Sequence, residues 1–328
     1  ITRLPNQNIR SLSPADGLII THEDFRTEAE RLAGFHRQND GLDISVVTIE
    51  EIYNEFSSGR QDVSALRDAI RHYYLKNRSS FRYTLLFGDA SYDYLDYGIR
   101  NTNFVPTYQS RNSLDPVLSY ASDDYFGFME DDEGEWLERF EGDHDLEIGI
   151  GRLPANRPED ARIMVDKIIR YASSLRINDK WKNQVTYVAD DEVNSFLHME
   201  DAEDFSEIFY ESRPDLRIKK IYLDDYEQQI IENRERSPAA NRDLINTIND
   251  GTFLLTYIGH GNEFRLMQET IFDEGDIERL TNQFKMPIFV TATCEFGRFD
   301  DPVFTTNGYS AAEQLLTYPD GGAIALLS

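Results

Sequence analysis

Phe253-Leu254-Leu255-Thr256-Tyr257-Ile258-Gly259-His260-Gly261 is an apolar run that stops on a histidine held between two glycines. Pro287-Ile288-Phe289-Val290-Thr291-Ala292-Thr293-Cys294-Glu295-Phe296-Gly297-Arg298-Phe299 follows the same plan and ends on the chain's only cysteine. Short runs rich in β-branched and aromatic residues, bounded by turn residues, predict strands. Continuous rather than alternating apolarity predicts strands buried on both faces, as in a parallel sheet. Sites in such sheets form in the crevice beyond the carboxyl ends of the strands. An imidazole and a thiol, each just past a strand end, therefore suggest a Cys/His dyad.

A strand-then-helix rhythm runs outward from these two stretches. Before them it predicts strands at 17–21, 42–49, 83–89, 146–154, 185–190 and 217–223. Helices are predicted at 24–37, at 63–75 with Asp62 as N-cap, and at 158–175, 201–210 and 241–248. After them come a helix at 311–317 and a closing apolar segment within 321–328. The alternation predicts an α/β fold with mostly parallel sheets flanked by helices. It breaks between about Ala90 and Asp145, a stretch rich in Tyr, Asp, Ser and Gly that reads as a long insertion, the kind that is functional or metal-ordered. A boundary is expected in Asn178-Asp179-Lys180, giving an N-terminal α/β unit at 1–178 and a catalytic α/β unit at 179–328. No internal repeat or low-complexity tract is present.

The 328 residues suffice for one large domain or two ordinary ones, and 40% hydrophobic content is that of a globular chain. A net charge of −27 argues against nucleic-acid binding, which needs clustered Lys and Arg. The charge reads as a solvated surface, or as acids that bind divalent cations. A single cysteine allows no internal disulfide. The start, Ile1-Thr2-Arg3-Leu4, has no apolar core behind it, and the end reads as a buried strand, so the chain is expected to be part of something longer.

A thiol attacks a carbonyl as the thiolate, and an imidazole beside it takes the proton. A carboxylate can orient that imidazole. Backbone N–H groups of Gly261 and Cys294 are the candidate oxyanion donors. The alternative is a buried structural cysteine in a core strand, a common fate of a free thiol. Asp190, Asp191 and Glu192 also follow a strand and fall on the same rim. His22, His36 and His72 read as solvated or half-buried residues and His144 falls in the acidic insertion; His198 follows the acidic turn and could line that rim.

Tyr257-Ile258-Gly259-His260-Gly261, followed by Cys294-Glu295-Phe296-Gly297-Arg298-Phe299, resembles the gingipain family of cysteine peptidases. Gly88-Asp89, Ser122-Asp123-Asp124-Tyr125-Phe126-Gly127 and Gly149-Ile150-Gly151-Arg152-Leu153 carry the same resemblance, in order, from about Gly17 to the end. The stretch Glu51-Ile52-Tyr53-Asn54-Glu55-Phe56-Ser57-Ser58-Gly59 is similar to one branch, the PorU sortases of type IX secretion.

The resemblance implies a caspase-like fold of two subdomains, with Cys294 as nucleophile and His260 as general base and acid. It implies a third residue after the strand that opens the second subdomain, for which Glu192 is the nearest match and Asp190 and Asp191 are rivals. It implies structural calcium, for which Asp89, Asp124, Glu130, Asp131, Asp132 and Glu135 offer the hard oxygen ligands. The branch implies cleavage of C-terminal sorting domains from secreted cargo, and transfer of the acyl group to an amine of anionic lipopolysaccharide. It also implies the outer-membrane barrel protein PorV as partner and a place on the bacterial cell surface at the outer membrane. Other expectations are a secreted protease that only hydrolyses, or a calcium-ordered surface scaffold without catalysis. Where the family often carries a tryptophan after Gly-His-Gly, this chain has Leu266, with Phe264 the nearby aromatic. Residues near His198, Glu200 and Asp201, with those after Gly261, are expected to wall the cleft.

Overall fold

The computed structural model describes residues 7–95, 97–98, 102–112, 114, 118–133, 138, 144–174, 179–191, 197–303 and 308–328. Two compact units divide the chain, Ile1–Val165 and Asp166–Ser328. The division falls inside a helix, whereas the sequence placed it in the connection that follows.

In the first unit, β1 (Gly17–Thr21) leads through a short 3-10 turn into α1 (Arg26–Asn39), then β2 (Ile44–Thr48). α2 (Ile49–Phe56) follows without a loop, since Thr48 and Glu51 form a capping box that starts the helix directly at the strand end. α3 (Val63–Lys76), opened by the Asp62 side chain, leads to β3 (Tyr83–Phe87). Two short strands, β4 (Tyr108–Gln109) and β5 (Ala121–Ser122), pair antiparallel within the insertion. β6 (Gly149–Leu153) closes a parallel sheet of order β2-β1-β3-β6. Arg152 ties the insertion down. It meets Asp123 side-on through Nε and Nη2, at 2.7 and 2.8 Å, and donates from Nη1 to the carbonyls of Gly88 and Val105. A nearly buried guanidinium satisfied this fully supplies the order that a long insertion otherwise lacks. α4 (Pro158–Ser174) carries the chain into the second unit.

The second unit begins with β7 (Gln184–Ala189), α5 (His198–Ser212) and β8 (Arg217–Tyr222). An exposed hairpin of β9 (Gln229–Ile231) and β10 (Arg234–Arg236) precedes α6 (Pro238–Asp250) and β11 (Leu254–Ile258). A small antiparallel sheet of β12 (Gly261–Asn262), β13 (Arg265–Leu266) and β14 (Phe272–Asp273) follows, then α7 (Glu274–Ile277) and β15 (Ile288–Ala292). α8 (Ala311–Thr317) and β16 (Ala325–Leu327) complete it.

The main sheet, β16-β15-β11-β7-β8, is parallel throughout, as the continuous apolarity predicts. Successive side chains of a strand face opposite ways. On β11, Leu255 and Tyr257 enter a core with Leu244, Ile248, Phe289 and Leu315. Leu254 and Ile258 enter the other, with Ala202 and Phe209 of α5. Both faces are therefore covered. The chain moves from β7 outward to β8, then crosses to the other side of β7 to lay down β11. The order reverses between β7 and β11, and that switch point is where open α/β sheets place a ligand crevice.

Lys167 of α4 is buried, and its ammonium donates to the carbonyls of Leu315 and Gly321, each at 2.8 Å. Burial, with Arg170 nearby, pulls its pKa down to about 7. An unfolded lysine keeps its proton to about pH 10.4. Between those values the unfolded chain binds more protons, so stability rises with pH. Urea unfolding from pH 7 to 9.5 is expected to show that rise, with a slope of at most about 1.4 kcal/mol per pH unit from this proton. Lys167→Met should lose the slope; an unchanged slope would show that Lys167 does not titrate there.

No helix among the described residues is long and apolar enough to cross a membrane.

Candidate active site

Register decides which residues meet at the switch point. Ile258 of β11 pairs with Ala292 of β15 on one side and with Ala189 of β7 on the other. Pairing persists one residue further, since Gly259 N–H donates to the Ala292 carbonyl and Asp190 N–H to the Ile258 carbonyl. His260 and Cys294 thus each stand two residues beyond one paired rung, on adjacent strands whose spacing is about 4.8 Å. Asp190 stands one residue beyond the same rung on β7. The spatial order along the rim is Asp190, His260, Cys294.

The two glycines around His260 have separate reasons. Gly259 has φ +155°, and a Cβ there would lie 2.4 Å from the Asp190 Cβ. A Cβ on Gly261 would lie 2.5 Å from Thr293 Oγ1, beside the cysteine. One glycine lets the acid close on the histidine backbone, and the other lets the cysteine strand do so.

The backbone of His260 is held at both ends. Its N–H donates to Asp190 Oδ2 at 3.0 Å. Its carbonyl accepts from Met267 N–H at 2.9 Å and from the Tyr257 hydroxyl. Tyr257 is fully buried, and burial holds its hydroxyl far above the usual phenol range, so it stays a donor. Asp190 is 1% exposed, and its other oxygen accepts Asp191 N–H at 3.0 Å. Burial pushes its carboxyl up, while the two backbone N–H groups hold it down. A carboxylate oxygen of Asp190 and ring nitrogens of His260 and His198 lie within 4.8 Å of one another. The two rings meet edge to face, with centroids 5.0 Å apart. His198, the first residue of α5, also donates from Nδ1 to the Asp191 carbonyl at 3.4 Å.

Cys294 is exposed, which overturns the buried structural alternative: the residue lies past the last paired rung and outside both cores. The next residue, Glu295, is left-handed at φ +58°, a strained conformation of the kind found at functional turns. Phe296, fully buried against Phe289, anchors the turn. Arg298 then reaches Glu263, Glu295 and Asp301 at 3.3–3.4 Å, which ties the turn after the cysteine to the loop after the histidine. Among the described residues nothing hydrogen-bonds the Cys294 N–H.

Of the three candidate acids, Asp190 is the one bonded to the histidine segment. Asp191 is half-buried and accepts from Gln228, and Glu192 lies outside the described residues. Leu266 is fully buried in the core opposite Gly261, so it does not wall a cleft; the signal missed was its pairing within the small sheet. Glu269, also missed, is buried with its carboxylate within 4.8 Å of Asp190 and Asp191. Phe264 lines a groove with Arg234, Arg236, Arg265, Asp273 and Glu274.

The acids expected to hold calcium are spread out. Asp89 is buried and accepts Ala90 N–H at 2.8 Å, Asp131 pairs with Arg71, and Asp124, Glu130 and Asp132 are exposed. Among the described residues none of them belongs to a group of three donors close enough to share an ion. Glu135 lies outside the described residues.

Comparison with known proteins matches residues 10–328 to peptidase family C25. Gingipain R2 of Porphyromonas gingivalis is 22% identical over 282 residues, covering 86% of this chain and 32% of that protein. Gingipain R1 of Porphyromonas gingivalis is 26% identical over 157 residues, covering 48% of this chain and 15% of that protein. The chain thus spans about a third or less of the curated relatives it matches. The solved Arg-specific cysteine proteinase gingipain R (RgpB) matches with a TM-score of 0.68 at 20% identity, covering 98% of this chain and 64% of that one. A dimeric latent PorU from Porphyromonas gingivalis is 33% identical over 51% of this chain and 16% of that one, with a TM-score of 0.43. The likeness to gingipain R bears out the caspase-like α/β fold.

Proposed function

The chain belongs to peptidase family C25, and from that premise we propose that it is a cysteine endopeptidase whose acyl-enzyme passes to an amine. The observation that carries the peptidase reading is the Ile258–Ala292 register, which sets His260 and Cys294 side by side beyond adjacent strands.

In this reading His260 takes the Cys294 thiol proton, and the thiolate attacks the scissile carbonyl. The oxyanion develops against the N–H groups of Cys294 and Gly261. As the C–N bond breaks, the imidazolium returns its proton to the leaving amine, and a thioester remains. An incoming amine then attacks the thioester, giving up a proton through His260 as the thiol leaves, and an amide forms. Water in place of the amine gives hydrolysis by the same steps. Asp190 holds His260 in place and offsets the imidazolium. Arg298 braces the residues after Cys294 against the loop after His260.

The sortase reading adds the substrates. Cargo with C-terminal sorting domains supplies the acyl group, anionic lipopolysaccharide supplies the amine, and PorV is the partner at the outer membrane of the cell surface. Two features support it. Residues 51–59 carry the branch resemblance. In a chain of net charge −27, Arg234, Arg236 and Arg265 gather in the groove beside the hairpin that follows His260, although Asp273 and Glu274 share its wall. A structural calcium ion belongs to the same reading, apart from the reacting residues.

The test incubates the protein with a peptide spanning a cargo sorting-domain junction, with and without an amine acceptor, and weighs the products. An amide adduct that grows with amine concentration at the expense of free acid is expected. Free acid alone at every amine concentration would leave a hydrolase. No cleavage and no labelling of Cys294 by a thiol-reactive peptide would leave a non-catalytic scaffold.

A further inference from the structure

We propose that Asp190, His198 and His260 form an inhibitory zinc site, in which Zn²⁺ captures the imidazole that acylation needs. One ligand atom from each of the three lies within 4.8 Å of the others. Two imidazoles and a carboxylate are the mixed nitrogen and oxygen set that zinc takes with three protein ligands and an open fourth position. Calcium prefers oxygen alone, so this set does not suit it.

The surroundings suit a cation. His198 donates its Nδ1 proton to the Asp191 carbonyl, which leaves the lone pair on Nε2. An imidazole fixed in this way by a backbone carbonyl is a common arrangement for a metal ligand. Asp190 is held by the N–H groups of Asp191 and His260, and a carboxylate oxygen so bonded keeps a second lone pair. The carboxylates of Asp191 and Glu269 lie close behind it and add negative charge. Ligand atoms around tetrahedral zinc are roughly 3.3 Å apart, so closure asks for a shift of about an ångström. His260 is exposed and its ring can make that shift, whereas Asp190 is fixed.

With zinc on its ring nitrogen, His260 has no lone pair for the Cys294 proton. The inhibition therefore rests on the catalytic reading of His260, and the binding does not. Two kinds of measurement keep these apart. Calorimetric titration of ZnCl₂ into the Cys294→Ala protein should show one site, which His198→Phe weakens at least about 10-fold. Phenylalanine keeps the ring packing and removes the nitrogens; His198→Gln should act alike. With Cys294 intact, zinc should block peptide cleavage while calcium at the same concentration does not. The His198→Phe enzyme, with inhibition read against its own zinc-free rate, should resist at least about 10-fold more zinc. Zinc affinity lost on Cys294→Ala alone, or unmoved by both His198 variants, would put the ion on the Cys294–His260 pair and overturn the site. Zinc bound with cleavage undiminished would overturn the inhibitory role.

Discussion

Cys294→Ala is expected to lower kcat by at least about 10⁴-fold while leaving the fold intact. The loss is large because no other group can form the thioester: the chain has a single cysteine. The fold should survive because Cys294 is exposed and stands beyond the last paired rung of the sheet, so truncation opens no cavity. Surface substitutions of that kind stay within about 0.5 kcal/mol. His260→Ala should cost a similar amount, because an unactivated thiol at neutral pH is mostly protonated. The double variant should be no worse than either single one, since the two act as a unit. Product formation and urea midpoints for all three proteins check this. Cleavage at the normal rate by Cys294→Ala would remove the nucleophile from the reading altogether.

Much of this site was legible because strand ends are legible. Phe253–Ile258 and Ile288–Thr293 are dense in residues that favour a buried strand, and each stops on a polar or glycine residue. That pattern alone places His260 and Cys294 on a rim. It does not say that the two strands are neighbours, which is a long-range pairing, nor that β7 lies on the far side of β11. The structural alternative for Cys294 could not be dismissed from sequence, because exposure depends on where pairing ends and not on the residues around the thiol.

Helix α2 shows a different gap. Its signal, the Thr48 and Glu51 capping box, is present in the sequence, but eight residues that follow a strand without a loop are too few for periodicity to mark a helix. The acidic insertion shows a third. Composition marks it as rich in carboxylates, yet each carboxylate's partner is set by distant residues. Arg152 lies far along the chain from the Asp123 it clamps, as Arg71 does from Asp131. Counting acids therefore overestimates the ligands left for an ion. Three consecutive acids after β7 were equally undecidable, since neighbours in sequence differ here in burial. Asp190 still lies in the sheet crevice, while Asp191 has begun to leave it.

Asp190→Asn should separate those acids, with an expected loss in kcat of about 10²–10⁴-fold. The wild-type carboxylate receives two backbone N–H groups, one per oxygen. An amide has one oxygen to offer, and its NH₂ must face the other N–H. Either Asp191 or His260 then loses its acceptor in a buried place, a cost of about 1–3 kcal/mol. The charge change works the other way on stability. Burial raises the Asp190 carboxyl, so the folded state disfavours its ionised form, and that penalty grows as pH rises through the raised value. The asparagine carries no such penalty, so unfolding measurements alone will show a partial cancellation. Activity will not cancel, because the imidazolium formed on His260 loses its nearby negative charge. Cleavage by Asp190→Asn should stay depressed even where its urea midpoint lies near that of the parent, a loss that a purely structural role would not produce. Asp191→Asn, whose carboxylate bonds the exposed Gln228, should cost less than about 10-fold. The reverse pattern, a silent Asp190→Asn beside a damaging Asp191→Asn, would take the positioning role away from Asp190.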